Sequence, residues 1–147
     1  MTDAKLVVCI EDEPEMIDLV KLILSRKGFQ VVGAMGGREG LEAIQAQKPD
    51  LVLLDLMMPD MDGFAVCRAL KENPQTAAIP IIMITARDDL DARAEGMRLG
   101  VCDFLAKPVF RRQLANRIRA QLDMAATGRL TEATLGQLAQ IGNGEKK

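Results

Sequence analysis

Five short apolar runs, each followed by a stretch with the spacing of an amphipathic helix, constrain this chain more than any other feature. Leu6-Val7-Val8-Cys9-Ile10, Phe29 to Gly33, Leu51 to Leu54, Ile79 with Ile81 to Ile84, and Val101 to Leu105 are the runs. Their continuity and their β-branched residues are those of strands covered on both faces. Between them, Pro14 opens a helix that Gly28 closes, and Arg38 to Gln47 form a second, stopped before Pro49. Phe64 to Leu70, Asp89 to Leu99 and Val109 to Leu122 complete the set. Such alternation predicts an α/β fold: a doubly wound five-stranded parallel sheet with five helices on its two faces, joined by right-handed crossovers. The pattern occupies residues 1–123 of 147. Residues 124–147, broken by Gly128, Gly136, Gly142 and Gly144, read as a C-terminal tail or truncated linker with room for a short helix.

Composition narrows the chemistry. The chain has no histidine, which excludes Ser-His-Asp hydrolysis, His-ligated zinc and histidine general-base catalysis. Nineteen basic against 21 acidic residues leave a net charge of −2, so direct nucleic-acid binding through overall charge is not expected. Cys9, Cys67 and Cys102 are scattered without metal-binding or redox spacing and read as reduced thiols. Neither a signal-peptide core nor an apolar stretch of membrane-spanning length is present, which points to a cytoplasmic protein without membrane contact.

Ligands of open parallel sheets gather beyond the carboxyl ends of the strands. There the sequence places Glu11, Asp12 and Glu13 after the first strand, Asp55 after the third, Thr85 after the fourth and Lys107-Pro108 after the fifth. Each taken alone is an ordinary cap or turn residue; their coincidence at four strand ends describes a site. Glu11, Asp12 and Asp55 would repel one another unless a cation joined them or their pKa values rose. Oxygen ligands of this kind suit a hard divalent ion such as Mg2+. A cation there would let Asp55 attack phosphorus as a nucleophile, with Lys107 and Thr85 contacting the phosphoryl oxygens.

These residues, in this order, resemble a response-regulator receiver domain of bacterial two-component signalling. The resemblance covers residues 5–122 and rests on four segments. They are Glu11-Asp12, Asp55-Leu56-Met57-Met58-Pro59-Asp60-Met61-Asp62-Gly63, Thr85-Ala86-Arg87 and Asp103-Phe104-Leu105-Ala106-Lys107-Pro108. It implies a flavodoxin-like strand order 2-1-3-4-5. It makes Asp55 the phosphoacceptor for a sensor histidine kinase or phosphotransfer protein. Asp12, Asp55 and the backbone carbonyl of Met57 would bind Mg2+, with Glu11 helping through water. Thr85 and Phe104 would act as the switch pair, the ring turning inward on activation, and Pro108 would follow a cis bond. Such a domain is a phosphoacceptor and not an enzyme in the ordinary sense. Met57 and Arg87, at the positions that shape water access in the family, imply slow autodephosphorylation.

Two other functions fit less well. An aspartate-nucleophile hydrolase of the haloacid-dehalogenase type needs a general acid two residues after the nucleophile, where this chain has Met57. A phosphate-independent interaction module on the same fold has no need of the acids, Thr85 and Lys107. Residues 88–119 separate Asp88, Asp89, Asp91 and Asp103 from Arg111, Arg112, Arg117 and Arg119. By resemblance to the winged-helix transcription-factor branch, Asp103 and Arg117 mark a candidate homodimer face that tightens on activation.

Overall fold

The computed structural model describes residues 4–86 and 90–141. Within them the chain runs β1 (Leu6–Ile10), α1 (Pro14–Ser25), β2 (Gln30–Ala34), α2 (Gly37–Gln47) and β3 (Leu51–Asp55). It continues through α3 (Gly63–Glu72), β4 (Ile81–Thr85), α4 (Leu90–Arg98), β5 (Asp103–Ala106) and α5 (Arg111–Ile141). All pairings are parallel and the sheet order is β2-β1-β3-β4-β5. This is the doubly wound arrangement that the alternation of runs predicts.

Side chains of a strand alternate between its faces, so one apolar run serves two cores. Val7, Cys9, Leu51, Leu53, Ile82, Ile84 and Leu105 pack with α1 and α5. Val8, Ile10, Val52, Leu54, Ile81, Met83 and Phe104 pack with α2, α3 and α4. Helix α2 comes close enough to β1 that a Cβ on Gly40 would lie 2.4 Å from Ile10 Cδ1 and 2.6 Å from its Cγ1.

β4 begins at Ile81, without Ile79, and the starts of β2 and β5 differ from the sequence pattern for one shared reason. Helix α1 ends in a left-handed turn at Gly28 (φ +88°), where Gly28 N–H donates to Ser25 O and Phe29 N–H to Leu24 O. Helix α4 ends alike at Gly100 (φ +96°), with Gly100 N–H on Met97 O and Val101 N–H on Gly96 O. In this motif the apolar residue after the glycine packs back on its own helix. Phe29 and Val101 therefore belong to helix caps, and β2 and β5 begin later. Helix α5 differs at its other end, running unbroken from Arg111 to Ile141 where the pattern had suggested a stop at Leu122. Gly128 and Gly136 each cost about 1 kcal/mol relative to Ala, yet the helix runs through both. Residues 142–147 and Asp88 and Asp89 lie outside the described residues.

The close approach of α2 makes Gly40→Ala informative. Alanine would gain about 1 kcal/mol of helix propensity, but crowding of this kind costs about 1–3 kcal/mol, so a net loss is expected. Urea denaturation of the variant checks it, and an unchanged or higher midpoint would show that Ile10 yields freely.

Candidate functional site

Sheet register decides which side chains meet. Ile10 pairs with Leu54, Asp55 with Ile84, and Thr85 with Ala106, so Glu11, Asp55, Thr85 and Lys107 emerge side by side at one edge. Glu11 N–H donates to Ala34 O at 2.9 Å and Lys107 N–H to Thr85 O at 3.0 Å, carrying the ladder one step past the strands. Glu11, Asp55 and Thr85 are buried and Asp12 is half-buried. The Lys107-Pro108 bond is cis.

Lys107 is the centre of the cluster. Its Nζ lies 3.2 Å from Glu11 Oε1, 3.5 Å from Glu13 Oε1 and 3.7 Å from Asp55 Oδ2. Glu13, exposed and two residues past Glu11, is a partner that the sequence pattern placed nearby without a role. Met57 is exposed, and its N–H donates to Asp55 Oδ1 at 3.3 Å. Glu11, Asp12 and Asp55 each offer a carboxylate oxygen, and these lie within 4.8 Å of one another.

One ammonium does not neutralise this charge. Burial, then the charge of Asp55, pushes the Glu11 carboxyl up to about 7. Burial raises Asp55 as well, against the opposing pull of Lys107 and the Met57 N–H. For Lys107, burial works against the charged form, but Asp55 and Glu11 outweigh it and its pKa lies above the ordinary value. Buried carboxyl groups whose charged forms are disfavoured by burial and by one another, all presenting oxygen, fit a hard divalent cation. The thiols take no part: burial pushes Cys9 and Cys67 up to about 12 and Cys102 to about 11.

Beside the cluster, the Phe104 ring is turned inward, buried with α4 above it. A Cβ on Gly96 would lie 2.4 Å from the ring's Cζ, so glycine makes the seat, and the Arg93 guanidinium sits 5.3 Å from the ring centroid. The ring thus stands in the inward position that the resemblance assigns to the activated switch. Arg117 Nη1 donates to Asp103 Oδ1 at 2.7 Å and to Phe104 O at 3.4 Å, so this charge pair closes within the chain. Arg87 lies outside the described residues.

The family profile described as response regulator receiver domain matches residues 7–119. The chain belongs to the response-regulator receiver family. This receiver is 39% identical over 119 residues to the transcriptional regulatory protein GltR of Pseudomonas aeruginosa, covering 81% of this chain and 49% of that protein. It is 40% identical over 130 residues to the transcriptional regulatory protein AfsQ1 of Streptomyces coelicolor, covering 88% and 56%. The crystal structure of a CheY-like receiver domain protein from Methanospirillum hungatei superposes with a TM-score of 0.81 at 26% identity, over 86% of this chain and 99% of that one. The chain spans about half the length of the curated relatives it matches. The expectation of no direct nucleic-acid contact therefore reaches no further than this segment. Among the described residues, no helix is long and apolar enough to cross a membrane.

The charge imbalance has a consequence for stability without divalent cations. Glu11 has an ordinary pKa of 4.5 and a folded value of about 7, so between these the folded state holds a proton that the unfolded chain has released. That contribution is fully present below about 4.5 and is lost as pH rises through about 7. Thermal melts in chelator are expected to show a midpoint falling over this window. Glu11→Gln should flatten the slope; an equally steep fall in that variant would place the proton elsewhere.

Proposed function

We propose that this receiver is a phosphorylation switch in which Asp55 accepts a phosphoryl group from a sensor histidine kinase or phosphotransfer protein in a Mg2+-dependent step. The observation that carries this is the Lys107 ammonium 3.7 Å from the Asp55 carboxylate, at the centre of a carboxylate cluster on the sheet's carboxyl edge. An oxygen of Asp55 attacks phosphorus and forms an acyl phosphate. The bond from phosphorus to the donor's imidazole nitrogen breaks, and that nitrogen keeps the electron pair. Asp12, Asp55 and the Met57 carbonyl would hold the Mg2+, with Glu11 supporting it through water. The ion supplies charge neutralisation, so that one anion can approach another. Lys107 contacts a phosphoryl oxygen, and the Thr85 hydroxyl donates to another. The protein acts in the cytoplasm, and residues 124–147 are a tail or linker beyond the receiver body of residues 1–123.

Phosphorylation is proposed to act on the face formed by α4, β5 and α5. Drawing Thr85 toward the phosphoryl group would fix Phe104 on its Gly96 seat and with it the backbone around Asp103. Arg117 can then exchange its partner within the chain for Asp103 of a second copy, giving a two-fold symmetric dimer. Such contacts between half-exposed charges weaken with salt.

Two measurements test this reading. Asp55→Asn is expected to abolish labelling by acetyl phosphate with Mg2+ while melting no lower than the parent, because the amide is nearly isosteric, relieves the buried charge and is not nucleophilic. Mass spectrometry reads the labelling, and stoichiometric labelling of that variant at the parent rate would end the assignment. Light scattering at tens of micromolar is expected to show a dimer with beryllofluoride at low salt and dissociation at high salt. A monomer under all conditions would remove the dimer.

A further inference from the structure

The loop between β3 and α3, residues 56–62, carries Met57, and it is held at more than its two ends. Gly63 N–H donates to Leu56 O at 2.8 Å, pinching the base of the loop. Asp62 caps α3 by accepting from Ala65 N–H at 2.9 Å. Asp60, between them, reaches across to α2. Its Oδ1 accepts from Gly37 N–H at 3.1 Å and its Oδ2 from Arg38 N–H at 3.2 Å. Those are the first two amides of α2, whose own N-cap residue is Gly36 and supplies no side chain.

Asp60 is therefore the missing N-cap of a helix 23 residues away. The fit is close: a Cβ on Gly36 would stand 3.0 Å from both carboxylate oxygens, and one on Gly37 would stand 2.8 Å from Met61 Cβ. The two amide bonds also hold the Asp60 carboxyl below its ordinary pKa, keeping it charged against the positive end of α2.

The segment that Asp60 grips is tied to the other acidic loop as well. Glu11 N–H donates to Ala34 O, and two residues later Gly36 O accepts from Gly40 N–H as α2 begins. The start of α2 thus lies between the loop bearing Glu11 and Asp12 and the loop bearing Met57. We infer that Asp60 is a positioning residue for the cation site: by clamping the 56–62 loop to α2, it sets the placement of the Met57 backbone relative to the carboxylates of Glu11, Asp12 and Asp55. This inference rests on the proposed Mg2+ site and adds a residue that touches neither ion nor phosphoryl group.

The competing role is that of a helix cap and nothing more. Thr76→Ala separates the two, because Thr76 Oγ1 donates to Leu70 O at 2.7 Å beyond the far end of α3, so its loss destabilises the fold remote from the site. Isothermal titration of Mg2+ into the full chain, with thermal melts of each protein, is the measurement. Asp60→Ala is expected to weaken Mg2+ binding about tenfold, the lower end of what losing an outer-shell partner costs. Asp60→Asn, which keeps one acceptor oxygen and folds more readily, should recover part of that loss. Thr76→Ala should lower the melting temperature and leave Mg2+ affinity at the parent value. If Asp60→Ala and Asp60→Asn melt lower but bind Mg2+ like the parent, the positioning role is overturned and Asp60 is a cap alone. If the parent itself binds no Mg2+, the proposed cation site fails, and this inference with it.

Discussion

Two buried carboxylates, Glu11 and Asp55, sit beside one half-buried ammonium, and the surrounding fold is what keeps them there. Left to themselves these groups would separate into water, because burial penalises each charge and the two acids repel. They do not separate because each leaves the end of a strand whose neighbours are apolar on both faces and closely packed. Glu11 follows β1, Asp55 ends β3, and Lys107 follows β5. The rigidity of the parallel ladder thus becomes a stored electrostatic demand for positive charge. A cation and a phosphoryl group together can meet that demand; lysine alone does not.

Much of this is legible in the amino-acid sequence itself. Parallel strands buried on both faces must be apolar at every position, so Leu6 to Ile10 and Leu51 to Leu54 announce themselves without alternation. Polar residues directly after such runs have only one place to go, which is why Asp55, Thr85 and Lys107 could be grouped across long separations. What misled was local. Phe29 and Val101 look like strand residues because they are apolar and adjoin strands, yet the N–H of each closes the cap of the helix it follows. Whether a glycine ends a helix or is carried through it depends on what flanks it. Gly28 and Gly100 stop theirs with a left-handed turn, while Gly128 and Gly136 do not.

Long-range contacts were hidden for a different reason. Asp60 is a turn-type residue inside a loop motif, and nothing in its neighbours says that its hydrogen-bond partners are the amides of Gly37 and Arg38. Gly36 and Gly37 hold the only hint: a helix that starts with no capping side chain must borrow one. Gly96 was equally silent, since the need for a missing Cβ appears only once the Phe104 ring is laid across it. Both examples concern what a residue leaves room for, or leaves unsatisfied, and such information is carried by the partner.

The unbroken course of α5 gives the molecule a mechanical property. Its first turns are locked to the sheet by Leu114 and Ile118, and Arg117 ties it to the start of β5. From Leu122 to Ile141 the helix runs on for about 28 Å at the usual rise per residue. A tilt of about 5° at the sheet would sweep the far end through about 2.5 Å over that length. A rearrangement too small to see at the strand edge would thus arrive at residue 141 as a displacement the size of an atom, delivered by a lever and not by a change of shape.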